Sequence, residues 1–210
     1  MNKKDLDLKL WSYIQDKANF FDLPSKKVTE LLNRDMDIDS GITKLKSLFP
    51  VMIESSLVDK YKPNLTISGK ESIIYWDKND ESAKYIYKLN SPEEKFRGSE
   101  RFNEIILYYV LQEYLFPKFK YEGLKIYEDR MFIRQKRTEF PEPTENQIKL
   151  CMEKAGYYLA KEFQPENNIW IIDIKDIKIM VGDLNSENCS INKSELEVFD
   201  PALRIYYENM

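Results

Sequence analysis

A change of hydrophobic period near Pro63 constrains this chain more than any other feature. Before it, apolar residues recur every three or four positions, the spacing of one helix face. Leu6, Leu10, Ile14, Ala18 and Phe21 form the first such stripe, and Val28, Leu31 and Leu32 form a second after Pro24-Ser25. A third run, 42–49, stops at Pro50, and the stretch 33–39 between helices is acidic and loop-like. After Pro63 the runs 65–68, 73–76 and 85–89 are short, β-branched or aromatic, and divided by polar residues, as in an antiparallel meander. Helices followed by hairpins define an α+β chain rather than a regular βα alternation.

The second half continues the mixture. Pro92-Glu93-Glu94 reads as a first helical turn, with Phe102, Ile105, Ile106, Tyr109 and Val110 as the apolar stripe until Pro117. Glu104 lies on a neighbouring stripe with Tyr108, Leu111 and Leu115, beside a buried face. Two strands, 124–127 and 131–135, follow. Thr144 with Gln147 has the capping-box pattern and opens a helix that Gly156 stops. The runs 169–174, 177–181, 189–191 and 196–199 are again strands, the last two joined by the polar link 192–195.

Composition removes whole classes of chemistry. With no His, serine-type and cysteine-type triads, His-ligated zinc and imidazole switches are excluded. Cys151 and Cys189 lie far apart with no CxxC, which excludes a thiolate zinc site or a disulfide framework. No GxGxxG or GxxxxGK[ST] loop occurs among six Gly. A net charge of −4 repels a nucleic-acid backbone, so no nucleic acid is expected as partner. No 18-residue apolar stretch exists, and Asp5, Asp7 and Lys9 interrupt the N-terminus, so neither a membrane span nor a secretory signal is expected. With two Cys and no signal, the expected location is the cytoplasm.

One segment gathers chemistry. Asp183 is followed five residues later by Asn188, and Asp200 comes twelve residues beyond that, across two short strands. A hairpin of that length returns the chain to its start, which predicts that Asp200 sits near Asn188. A carboxylate and an amide oxygen facing one point suit Mg²⁺, a cation that prefers oxygen ligands and takes only one or two from protein when phosphates supply others. The second Asp is then free to act as a base.

These residues resemble the protein-kinase fold. Asp183-Leu184 with Asn188 matches the catalytic-loop pattern D-L-x-x-x-N, and Asp200 stands where the Asp of D-F-G stands. Tyr85-Ile86-Tyr87-Lys88 resembles the third-strand V-A-I-K element, and Glu104, sixteen residues on in the next helix, resembles its ion-pair partner. More narrowly, the helix to Pro117, Phe132-Ile133-Arg134-Gln135, Ala155-Gly156-Tyr157 and Gly182-Asp183-Leu184 with Phe199-Asp200-Pro201 are similar to the polyvalent protein kinases of bacterial mobile elements. The resemblance implies a helical segment over 1–62, a kinase-like N-lobe over 63–140 (antiparallel sheet with one helix) and a truncated C-lobe over 141–210. It also implies a minimal ATP- and Mg²⁺-dependent phosphotransferase. Lys88, held by Glu104, would contact nucleotide phosphates; backbone groups near Gln135 would face the base; Asn188 and Asp200 would hold the metal; and Asp183 would be the base.

The departures define a rival. Val181-Gly182 replaces His-Arg before Asp183, so control by a phosphorylated activation loop is not expected. Ile86 replaces the small residue that roofs the adenine, only Gly69 lies where a phosphate-covering loop belongs, and few residues follow Asp200. These features fit a catalytically inactive kinase-like binding module, acting through a protein partner that supplies or replaces the substrate lobe.

Overall fold

A computed structural model describes residues 2–64, 72–82, 84–95, 101–117, 121–137, 141–160 and 169–206. In chain order the first elements are α1 (Lys3–Ile14), α2 (Ser25–Leu32), α3 (Ile38–Leu48), β1 (Val51–Met52), α4 (Glu54–Lys60), β2 (Tyr61–Pro63), β3 (Ser72–Asp77), β4 (Tyr85–Asn90), α5 (Pro92–Lys95) and α6 (Phe102–Leu115). They are followed by β5 (Tyr121–Tyr127), β6 (Arg130–Lys136), α7 (Glu145–Lys154), β7 (Tyr158–Leu159), β8 (Trp170–Ile174), β9 (Ile177–Gly182), β10 (Cys189–Asn192), β11 (Glu195–Val198) and β12 (Ala202–Tyr206). The mixed α+β class is as expected. The strand expected at 65–68 and Gly69 lie outside the described residues.

The chain divides into two compact units. The first takes the described residues of Met1–Trp11, Asn19–Val110 and Lys120–Arg137, and the second those of Ser12–Ala18, Leu111–Phe119 and Thr138–Met210. In the first unit the described strands form a six-stranded sheet in the order β1-β5-β6-β4-β3-β2, antiparallel except where β1 runs parallel to β5. On one face Tyr61, Leu89, Tyr127 and Phe132 pack with Met52 and Leu57, the latter from α4. Tyr87 stacks on Phe132 at 5.5 Å between ring centroids, and Tyr61 lies 4.6 Å from Tyr87. Side chains alternate across a strand, so Ile86, Lys88 and Asn90 project from the opposite face. There Asn90 Nδ2 donates to the Tyr109 hydroxyl of α6 at 3.3 Å.

Helices α2, α3 and α4 belong to this unit, as does α1 up to Trp11. Phe102 explains part of the reason: its ring lies directly on Gly41 of α3, where a Cβ would collide with it. Asn103 Nδ2 donates to the Leu32 carbonyl at 2.8 Å, and Arg101 Nη2 reaches Asp7 Oδ2 of α1 at 2.8 Å. Asp7 is fully buried, the opposite of what its place in an interrupted polar N-terminus suggests. A buried carboxylate is tolerable when a guanidinium and its hydrogen bond compensate it. Phe20, Phe21, Tyr109 and Tyr121 add a second aromatic cluster, with Phe21 and Tyr121 each within 5.3 Å of the Tyr109 ring.

The second unit contains a four-stranded antiparallel sheet, β12-β9-β8-β7, and the separate hairpin β10-β11. The capping box at α7 is complete: Thr144 Oγ1 accepts from Gln147 N–H, and Gln147 Oε1 accepts from Thr144 N–H. Ile148 and Met152 are its buried face. Among the described residues, no helix is long and apolar enough to cross a membrane.

Candidate functional site

In the first unit, Lys88 lies on β4 with Ile74 and Ile133 as its direct cross-strand neighbours, and only 7% of it is exposed. An ammonium in that apolar strip is expensive to desolvate, which marks the position as unusual. The ion pair that Glu104 makes is with Lys3 of α1, at 4.0 Å, where the carboxylate keeps about a third of its exposure. Gln135 stands beside Ile86 in the ladder and is 2% exposed. The segment expected to present backbone groups is strand through Lys136, and the Arg137 N–H donates to the Lys84 carbonyl at 2.9 Å. The Gln135 Oε1 is buried with no hydrogen-bond partner among the described residues.

In the second unit, Asp183, Asn188 and Asp200 converge. β9 ends at Gly182, and Asp183 turns the chain in the left-handed region at φ 56°, a conformation Asp and Asn adopt more readily than other non-glycine residues. Asn188 Nδ2 then donates to both the main-chain carbonyl (2.9 Å) and Oδ2 (2.8 Å) of Asp183. Asn185 completes the loop. Its Nδ2 donates to Asp183 Oδ1 at 3.0 Å while its Oδ1 accepts from the main-chain N–H of Glu187 and Asn188. Asn185 thus holds the loop in shape.

The hairpin brings Asp200 back as its length predicted. Cys189 pairs with Val198, and the Phe199 N–H donates to the Asn188 carbonyl at 3.0 Å, so residues 188 and 199 close its open end. At the closed end Lys193 and Ser194 both have positive φ (48° and 73°), the signature of a type I′ turn. Asp200 is near enough that its charge acts on Asp183. Burial holds the Asp183 carboxyl above the ordinary aspartate range, the Asn188 hydrogen bond opposes this, and the charges of Asp200 and Glu187 add to it. Burial likewise pushes the neighbouring Cys189 thiol up to about 12, with the Asp183 charge as second cause, so this thiol is no nucleophile.

The donors gathered here are oxygen atoms, which fit Mg²⁺ and not a soft metal. Because Asn188 turns its NH₂ to Asp183, the planar amide leaves its Oδ1 on the other side. Among the described residues no cluster of three Cys, Asp or Glu side chains forms a ready-made metal cage. Mg²⁺ is commonly held by one or two carboxylates plus substrate phosphates, a weaker demand than a full cage.

A cleft of about 790 Å³ opens beside Asp183, entirely within the second unit. One wall is the sheet face formed by Met180, Gly182, Ala202 and Arg204; another is the start of α7 at Thr144, Glu145 and Ile148; Leu184 to Ser186 form the rim. In the ladder Gly182 faces Ala202 and Met180 faces Arg204. Arg204 had no place in the sequence reading because a strand directly after Pro201 was not foreseen, although Ala202-Leu203-Arg204-Ile205-Tyr206 alternates as a strand does. No family model, curated protein or solved structure matches this chain.

Proposed function

We propose that the protein is a minimal kinase-like phosphotransferase that uses ATP and Mg²⁺. The observation that carries this reading is the closed arrangement of Asp183, Asn188 and Asp200, in which one amide is spent on orienting one carboxylate while a second carboxylate lies within electrostatic reach. The order of elements supports it as well: a Lys-bearing strand, a helix, two strands, a capped helix, the Asp-Asn loop, a hairpin and a final Asp.

In this reading Asn188 and Asp200 hold the metal. Bound Mg²⁺ supplies neutralisation of phosphate charge. Asp183, fixed by Asn185 and Asn188, orients an acceptor hydroxyl and takes its proton. A carboxyl held above its ordinary range is a better proton acceptor than a free surface aspartate. Phosphoryl transfer depends mainly on positioning and charge stabilisation, so these groups need no imidazole.

One observation favours the rival, a catalytically silent kinase-like module acting through a protein partner: the ion pair of Glu104 is directed to Lys3. Turnover separates the two. The phosphotransferase produces ADP from Mg·ATP, and Asp183→Asn lowers the rate at least about 100-fold, the scale of a lost general base. Nucleotide binding without ADP formation, unaltered by Asp183→Asn, identifies the silent module.

A further inference from the structure

We propose that the acceptor is a small anionic polyol, a sugar acid or sugar phosphate bound in the cleft beside Asp183, with its anionic group on Arg204. This deepens the phosphotransferase reading and rests on it for the reaction, though not for the binding.

The shape argues for a small molecule. A volume of about 790 Å³ lies within the range of about 300 to 1,000 Å³ typical of small-molecule sites. The cleft is bounded by a helix start, a sheet face and the rim loop. The small residues Gly182 and Ala202 face each other on the sheet wall and leave the space next to Asp183. A Cβ at Gly182 would meet Ala202 Cβ at 3.7 Å, ordinary contact, so no packing constraint demands glycine there.

The lining argues for the class. Ile148, Ile169, Met180 and Leu184 offer apolar surface to the C–H faces of a ring or chain. Asp183, Glu145 and Ser186 offer acceptors for hydroxyl groups. Among the described lining residues Arg204 is the single cation, and its planar guanidinium matches a carboxylate or phosphate. It extends from β12 opposite Met180, two residues along the strand from Ala202. A polyol anchored there reaches back past Gly182 toward Asp183. In the transfer, an acceptor oxygen bonds to the γ-phosphorus of ATP, the bond from that phosphorus to the β,γ-bridging oxygen breaks, the hydroxyl proton goes to Asp183, and ADP leaves.

The test uses the full chain. Gluconate, glucose 6-phosphate and neutral sorbitol are titrated calorimetrically without nucleotide, and each is then offered with Mg·ATP alongside dephosphorylated casein. Gluconate or glucose 6-phosphate should bind at least tenfold tighter than sorbitol, and which of the two does so distinguishes carboxylate from phosphate recognition. Arg204→Gln, an exposed change, should erase the preference with an unchanged circular dichroism spectrum. Gly182→Val should fill the cleft and abolish binding of both anions; should that variant misfold, Arg204→Gln decides alone. Equal binding of all three polyols, no binding of any, or transfer to casein that survives Gly182→Val overturns the proposal. Arg204-dependent binding of an anionic polyol by a protein that does not bind Mg·ATP keeps the site and removes the phosphotransferase reading instead.

Discussion

Asn188 closes the loop after β9 onto Asp183, donating from one Nδ2 to both the main-chain carbonyl and the carboxylate at 2.9 and 2.8 Å. This fixes the direction of Asp183 at the mouth of the cleft, and it competes with burial and with the charge of Asp200 in setting how readily Asp183 holds a proton.

A pH dependence of stability follows. A carboxyl whose folded-state pKa is raised weakens the fold once it is ionised, above that pKa, and ceases to do so as pH falls through it toward the ordinary aspartate range. Asp183→Asn keeps one acceptor toward Asn188 but turns an NH₂ to Asn185, a cost that does not vary with pH. Relative to the wild type, its melting temperature should therefore rise as pH increases through the ordinary aspartate range and above, and level off in acid below it. The effect is small because solvent reaches the side chain. Melting curves against pH check it, and a constant difference at every pH contradicts it.

The hairpin that returns Asp200 carries local strain at its turn. Lys193 and Ser194 occupy left-handed backbone that Asn and Gly adopt at much lower cost. Replacing the pair by Asn-Gly should stabilise the second unit by about 1 kcal/mol, read as a higher urea midpoint with unchanged slope. A destabilised hairpin variant would mean the turn is not type I′.

Gly41 is required by contact rather than by backbone angle. Gly41→Ala forces a methyl into the Phe102 ring and should cost about 1 to 3 kcal/mol. Phe102→Leu, itself destabilising, should recover part of that loss in the double variant. Simple additivity of the two would show that they do not touch.

Much of this was legible in the sequence where the signal is local. The capping box of α7, the turn between β5 and β6 and the pairing of β10 with β11 each depend on residues a few positions apart. The same locality predicted that Asp200 returns to Asn188. Tertiary choices were not legible. Periodicity gave no sign that Asp7 would be buried, since its partner Arg101 is far along the chain. Likewise α4 and β1 are too short for a periodic pattern, and Pro201 masked β12 and with it Arg204. Sixteen residues of spacing between Lys88 and Glu104 were suggestive, yet Lys3, which the spacing ignores, is the residue that meets Glu104.

Binding of Mg·ATP is the most direct test of the central claim. Millimolar ATP with Mg²⁺ should raise the melting temperature of the wild type, by about 2.7 kcal/mol of stabilisation at a hundredfold excess over Kd. ATP with EDTA should give a much smaller shift, and Asp200→Ala should lose the Mg²⁺-dependent part. An unchanged melting temperature in saturating Mg·ATP, or a shift that Asp200→Ala leaves intact, would contradict the account.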